Sequence, residues 1–321
     1  MKRVQIVSIG AAVQDVFLQG KIFKPVKDHG ELVNEFELGT KNDIDGVVIS
    51  TGGGATNASV TFARQGLSSW YMGRIGYDMA GKAVVEDLHN DDVNTSLVIH
   101  CEDVGTGYST ILLAPGGERT ILTYRGASNS FDLQKKHFKN VKPDWFYVSS
   151  LSGDIDSLEQ IVNYAKDKKI KIAINPGKGE LKQRARFIKL LPHISLLSVN
   201  KDEIEMLLGT ADLHSLLKKA NELIEIVVVT DGPSGSSVID GKNIYKAGMY
   251  KDVPVIDRAG AGDAFCSGFV SQIALGNSIE DAITFGSANS TSVVSKIGAK
   301  AGILKAPNHL DKMLIKVSQL T

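Results

Sequence analysis

The chain has 321 residues, 43% hydrophobic and 22% charged, the composition of a folded globular protein and not of a disordered one. Its 36 Lys and Arg balance 36 Asp and Glu, which excludes the positive excess that nucleic-acid binders and polybasic membrane anchors carry. Two cysteines cannot make a disulfide framework, no apolar run approaches the ~18 residues of a membrane span, and the apolar stretch after Met1-Lys2-Arg3 is too short for an export signal, so a cytoplasmic protein is expected.

In chain order, residues 4–10 read as a first strand, a short apolar run of the kind covered on both faces. Residues 12–50 break into short, polar, Gly-punctuated strands. A helix is expected over 57–65, a strand over 69–75 and a helix over 81–89. Residues 97–125 again contain short strands, at 108–114 and 119–124, with Pro115-Gly116-Gly117 as the hairpin turn. Strands at 145–150, 171–175, 194–200 and 226–231 then alternate with helices at 158–168, 202–208 and 213–223. This rhythm predicts a parallel sheet with helices on both sides. No repeat or linker divides the chain, so one domain is expected. The segments at about 12–50 and 97–125 should form a small antiparallel sheet attached to it.

Three glycine-rich segments deserve separate reading. Gly76 to Lys82 fits G-x-x-x-x-G-K, but Ala83 follows where a phosphate loop needs a hydroxyl for Mg²⁺, so ordinary helix packing is expected there. Asp257-Arg258-Ala259-Gly260-Ala261-Gly262-Asp263 leads from an extended stretch at 253–256 into a helix marked by Ala264, Phe265, Gly268, Phe269 and Ile273. Such a junction aims unpaired N–H groups and the positive end of the helix dipole at one point. A lone Asp263 there would be a helix cap; two acidic residues flanking an anion cradle suit phosphoryl transfer, with the acid removing a hydroxyl proton. Thr51-Gly52-Gly53-Gly54-Ala55-Thr56-Asn57 is either a second anion site or a close-approach loop with Asn57 as hydrogen-bonding group.

The stretch from Asp257 to Phe265 resembles the D-T-x-G-A-G-D-x-F signature of the PfkB, or ribokinase-like, carbohydrate kinases. Gly52 to Asp78, Asn200-Lys-Asp-Glu203, Thr230-Asp-Gly232-Pro-Ser-Gly235 and Gly10 to Asp15 are similar to four more of that family's motifs, in the same order. The resemblance implies a three-layer α/β/α sandwich with a mostly parallel central sheet and a small β-sheet lid, one kinase domain over 1–321. It implies Asp263 as catalytic base and Gly260, Ala261 and Gly262 as the anion hole. Asn200 and Glu203 would hold Mg²⁺ and phosphates, through water. Thr230, Gly232, Gly235 and Asn200 would contact ATP, and Asp15, Gly53 and Asn57 the acceptor's hydroxyls. In several family members the lid closes over the sugar and pairs two subunits, so a homodimer is implied as well.

Departures from the family pattern bear on the substrate. Gly54 and Ala55 stand where ribokinases have Lys and Gly, and Asn175-Pro-Gly-Lys178 lacks the Arg expected for sugar acids. Arg125 either reaches a carboxylate or phosphate on the acceptor or ends a lid strand as an exposed cation. A potassium (K+) site near Asp257 would draw on residues near Val293, Gly298 and Gly302, and Gly302 offers no side-chain oxygen. The expected activity is ATP-dependent phosphorylation of a neutral sugar such as fructose or ribose. The alternatives are a nucleoside kinase, with Phe17, Phe36 or Tyr108 against the base, and a nucleotide-sensing protein without catalysis.

Overall fold

The computed structural model describes residues 3–114, 119–139, 141–250 and 253–320. Its frame is a nine-stranded sheet. Ser68–Met72 lies at one edge, followed in space by Gln5–Ile9, Trp145–Val148, Lys171–Ile174, Leu196–Asn200 and Ile226–Thr230, all parallel. Ser236–Ile239, Asn243–Ala247 and Ile315–Gln319 extend it antiparallel. Five of the six parallel strands are those expected from their apolar runs, shortened by a residue or two; the one expected over 69–75 runs instead over Ser68–Met72, with Arg74–Gly76 a separate strand outside this sheet.

The two-residue period of a strand explains the three layers. All four residues of Trp145–Val148 are buried, but alternate ones serve different cores. Phe146 and Val148 pack with Leu158, Ile161, Leu207 and Leu217 from the helices of one face. Trp145 and Tyr147 pack with Phe62, Phe265, Phe269 and Ile283 from the other. Truncating any of these aromatic residues to Ala should cost about 3–5 kcal/mol. The helices Gly54–Arg64, Ala261–Ala274 and Ile279–Val294 therefore share one face of the sheet. Ala261–Ala274 and Ile279–Val294 approach closely at Gly268 and Gly286, where a Cβ on Gly268 would stand 3.1 Å from the other backbone. Ile279–Val294 carried no apolar periodicity to announce it, because Ser, Thr, Ala and Gly serve this close contact in place of large side chains.

The two segments that break the βα rhythm supply a four-stranded sheet in the order Arg119–Tyr124, Gly107–Leu113, Val13–Gln19, Gly46–Gly52. The hairpin turn read at Pro115-Gly116-Gly117 lies outside the described residues. Three features depart from the expectation of one antiparallel sheet: Gly107–Leu113 runs parallel to Val13–Gln19, and two pieces pair elsewhere. Ile99–Cys101 pairs instead with Arg74–Gly76, and Val26–Asp28 with Glu31–Val33 forms a separate hairpin. On one face of the four-stranded sheet Phe17 and Ile111 are buried. On the other, Val47, Ile49, Leu122 and Tyr124 stand exposed. The G-x-x-x-x-G-K segment is an ordinary helix start: Asp78 caps Met79–Asn90, accepting from Gly81 N–H at 2.8 Å where a phosphate would otherwise sit. Asp78 also accepts from Thr106 N–H and hydroxyl, both at 2.7 Å, fastening the helix to the small sheet. Burial pushes this carboxyl up, but the Thr106 and Gly81 hydrogen bonds outweigh it and hold it below the usual range.

Candidate active site

Residues 253–255 join no strand and Ile256 stands at a bend, its N–H donating to Val294 O at 2.8 Å. Asp257 is buried. Its carboxylate accepts from Ala259 N–H (2.9 Å) and Gly298 N–H (3.1 Å) and lies 3.7 Å from the Arg119 guanidinium of the small sheet. Asp257 thus shapes the loop. Gly260 then takes a left-handed conformation (φ 75°), and a Cβ there would come 2.5 Å from that of Ala299, so this position demands glycine. The helix Ala261–Ala274 starts immediately, with Ala264 N–H closing on Gly260 O at 2.8 Å. The N–H groups of the first turn have no intrahelical acceptor. That of Ala261 leans on Arg258 O at 3.4 Å, and Gly262 beside it faces open space.

Asp263 is the third residue of this helix. Its carboxylate turns across to Asn57, whose Nδ2 donates to Oδ2 at 3.0 Å. Burial pushes the Asp263 carboxyl above its ordinary value, and the Asn57 hydrogen bond pulls it partly back. A carboxylate raised in this way is better matched to accepting a proton near neutral pH.

Asn57 comes from the first turn of Gly54–Arg64, and the glycines before it allow close approach. A Cβ on Gly52 would stand 2.2 Å from Asp15 Oδ2, and one on Gly53 (φ 101°) 2.3 Å from Ala11 O. The glycines thus let this loop pass close to Ala11 and to the strand that carries Asp15. Asp15 sits mid-strand in the small sheet, opposite Ser50 and Ser109. Burial raises its carboxyl; the Ser109 hydrogen bond and the Lys300 charge oppose that, and the Asp257 charge adds to it.

Around Gly54 three polar groups gather: Asn57, Asp263 and Ser149. A Cβ on Gly54 would lie 3.0 Å from Ser149 Cβ and 3.3 Å from Asp263 Oδ1, so any side chain here would press on both residues. Asn57 Oδ1 and Ser149 Oγ are buried without a hydrogen-bond partner within the described residues. Buried polar atoms left unpaired call for a ligand or water. Sequence reasoning passed over Ser149; its place at the carboxyl end of a parallel strand, where open α/β sheets bind ligands, was the available signal.

Asn200 and Glu203 form a capping box on Lys201–Leu208. Asn200 Oδ1 accepts from Glu203 N–H, and Glu203 Oε2 from Asn200 N–H, both at 2.9 Å. Burial pushes the Glu203 carboxyl up, against the Asn200 N–H bond and the charge of Lys178. Thr230 ends its strand, and Gly232 and Gly235 make the turn back into the antiparallel strand. These three line a cavity of about 130 Å³ together with Ala261, Gly262 and Phe265, so the turn opens onto the helix start. Arg125 is exposed, its Nη1 donating to Ser152 Oγ at 3.4 Å.

The fit to implied groups follows from these contacts. Among the described residues no three His, Cys, Asp or Glu side chains converge on a metal. Glu203, with one oxygen held by the box and one left over, suits a Mg²⁺ carried by phosphates and water. The Asp257 carboxylate accepts from two N–H groups with a guanidinium alongside, and at Gly302 a Cβ would meet Ser292 O at 2.2 Å, so that position has no space for a side-chain ligand. Of the rings considered for a nucleobase, Phe17 is buried in the sheet packing and Phe36 stands edge-on to Phe23 at 6.1 Å. No helix among the described residues is long and apolar enough to cross a membrane.

Known proteins share this fold. The structure of Arabidopsis thaliana ribokinase complexed with ribose and ATP superposes with a TM-score of 0.77 at 20% identity, covering 95% of this chain and 96% of that one. The Methanocaldococcus jannaschii nucleoside kinase gives 0.76 at 23% identity over 94% and 95%. In sequence, Haemophilus influenzae ribokinase is 28% identical over 264 residues, 79% of this chain and 84% of that protein. The family model for pfkB carbohydrate kinases matches residues 26–306. With the expected α/β/α sheet and helix-start loop in place, the chain belongs to the pfkB family of carbohydrate kinases and is an ATP-dependent carbohydrate kinase.

Proposed function

We propose that this kinase phosphorylates a hydroxyl of a neutral pentose or hexose, such as ribose or fructose, within one kinase domain spanning the chain. The observation that carries the reading is the Asn57–Asp263 hydrogen bond at 3.0 Å. It brings an acceptor-side helix and the anion-binding helix start into one small space, with Ser149 and Asn57 holding unpaired polar atoms inside it.

In this reading Asp15, Asn57 and the Gly53 backbone hold the sugar's hydroxyls, and Arg125 stands at the rim. Asp263 accepts the proton of the attacking hydroxyl as the phosphoryl group moves in line. The first-turn N–H groups of Gly260, Ala261 and Gly262 face the charge on that group, where preorganised donors are worth several kcal/mol. ATP lies along Thr230, Gly232, Gly235 and Asn200, with its phosphates toward Gly262. Mg²⁺, held through water by Glu203 and Asn200, supplies neutralisation of the phosphate charge. The small sheet closes over the sugar and excludes water, which would otherwise take the phosphoryl group. Its exposed row of Val47, Ile49, Leu122 and Tyr124 pairs two subunits. The enzyme works in the cytoplasm, where its ATP is supplied.

A screen of ATP consumption across neutral sugars, sugar phosphates and nucleosides tests the proposal. Ribose or fructose should lead. Nucleosides turning over faster than any free sugar would replace the reading with a nucleoside kinase, and no turnover with any acceptor would leave the non-catalytic binding protein.

A further inference from the structure

Gly298, Ala299 and Lys300 are three successive residues, and each touches a different part of the site. Gly298 N–H donates to Asp257 Oδ2, and Ala299 packs against Gly260 at the helix start. Lys300 points the other way. Only 7% exposed, it extends its ammonium to Asp87 Oδ2 (2.9 Å) and Thr51 Oγ1 (2.5 Å), and the Thr51 hydroxyl donates in turn to Asp87. Its carbonyl accepts from Arg64 Nη1 at 3.0 Å, and that guanidinium is paired with Asp91. Thr51 is the residue before Gly52-Gly53-Gly54. One short segment therefore clamps the acceptor loop to the anion-binding loop, with a buried ammonium on the acceptor side. Desolvating an ammonium costs several kcal/mol unless it is paired, so its place between these loops is not neutral for the fold.

We propose that Lys300 is a positioning residue: through Thr51 and Asp87 it locks the Thr51–Gly54 loop, whose Gly52 packs against the acceptor carboxylate of Asp15, in register with the phosphoryl side. The groups around Asp15 are few. Ser109 comes from Gly107–Leu113, Ser50 and Gly52 from Gly46–Gly52, Lys300 from the clamp, and Asp257 from the opposite loop with Arg119 beside it. Without Lys300 the remaining charges leave Asp15 beside a second carboxylate. It then protonates at higher pH, and a protonated carboxyl accepts fewer hydroxyl hydrogen bonds. The inference rests on Asp15 being the acceptor's carboxylate.

Lys300→Met and the double variant Lys300→Met/Asp87→Asn test it; the second removes both charges together so that the fold is not left with an unpaired one. Two readouts decide. By hydrogen exchange, amides of residues 52–57 should open about tenfold faster in both variants, the size of a typical coupling between contacting residues. With D-ribose and D-fructose as acceptors, KM should rise about tenfold while the KM for ATP holds, and the acid limb of kcat/KM should move up by about half a pH unit. Unchanged exchange at 52–57, an unmoved acid limb, or equal losses for sugar and ATP would overturn the proposal and make Lys300 a plain packing residue. Asp15→Asn is assayed in parallel. If it leaves the sugar KM untouched, or if neither sugar is turned over, the acceptor assignment has failed on its own, and exchange at 52–57 still decides the positioning role.

Discussion

Asp263 carries the sharpest chemical claim, and a single amide tests it. Asp263→Asn keeps shape and the partner Asn57 but cannot take up a proton, so turnover should fall by about 10²–10⁴-fold. Burial raises the folded carboxyl's pKa, so the native state binds the proton more readily than the unfolded one, and above the ordinary value near 3.9 this charge opposes folding. The melting temperature at pH 7 should therefore be unchanged or higher, and ATP affinity should survive. Turnover within about threefold of the parent would return Asp263 to a structural role. The same shift predicts that kcat falls on the acid side through a pKa above the ordinary aspartate range. Glu203→Gln separates the two sides of the site. An amide oxygen can still accept from Asn200 N–H, so the capping box and the sugar KM should persist. The Mg²⁺ requirement should rise about 10–100-fold, as when an outer-shell ligand is lost.

At the scale of elements, the glycines of the two loops should respond in opposite ways. Gly53 holds a positive φ with Ala11 O in the way of any Cβ, so Gly53→Ala should cost about 1–3 kcal/mol in strain alone and lower the melting temperature by several degrees. Gly262 sits inside a helix with nothing within 4 Å of a Cβ. Gly262→Ala should leave the fold as stable or improve it by about 0.5–1 kcal/mol. Its methyl, however, enters the cavity shared with Thr230 and Gly235, so the KM for ATP should rise. Thermal melts beside ATP titrations of the two variants would show the split; a Gly262→Ala protein with normal ATP kinetics would remove that helix start from the nucleotide site.

At the scale of the molecule, one face of the small sheet leaves apolar side chains uncovered among the described residues. Ile49, Val16, Thr110 and Leu122 lie in register across the small sheet, and Ile49 and Leu122 are 62% and 59% exposed. An exposed apolar sheet face of this kind is a site of association. Sedimentation should give a dimer, and Ile49→Glu with Leu122→Glu a monomer, because a charge cannot be buried unpaired in such an interface. A parent protein that sediments as a monomer would remove the pairing without touching the kinase assignment.

How much of this was legible in the sequence depended on the range of the interaction. Local patterning was enough for the six parallel strands, since each is a short apolar run buried on both faces. It was also enough for the helix start at Gly260 to Asp263, where the glycines and the carboxylate are neighbours in the chain. The Asn200–Glu203 pair was visible as a motif, but that its atoms close a capping box needed the backbone to be placed. Contacts between distant residues left no local signal. Nothing near Lys300 announces Thr51 or Asp87, and Ile279–Val294 hides its packing in small residues. Composition and periodicity report how one segment meets a generic interior. Only the assembled sheet decides which side chains from opposite ends of the chain share a few ångströms, and there Asp15 and Asp263 acquire their raised pKa values and Asp263 its partner Asn57.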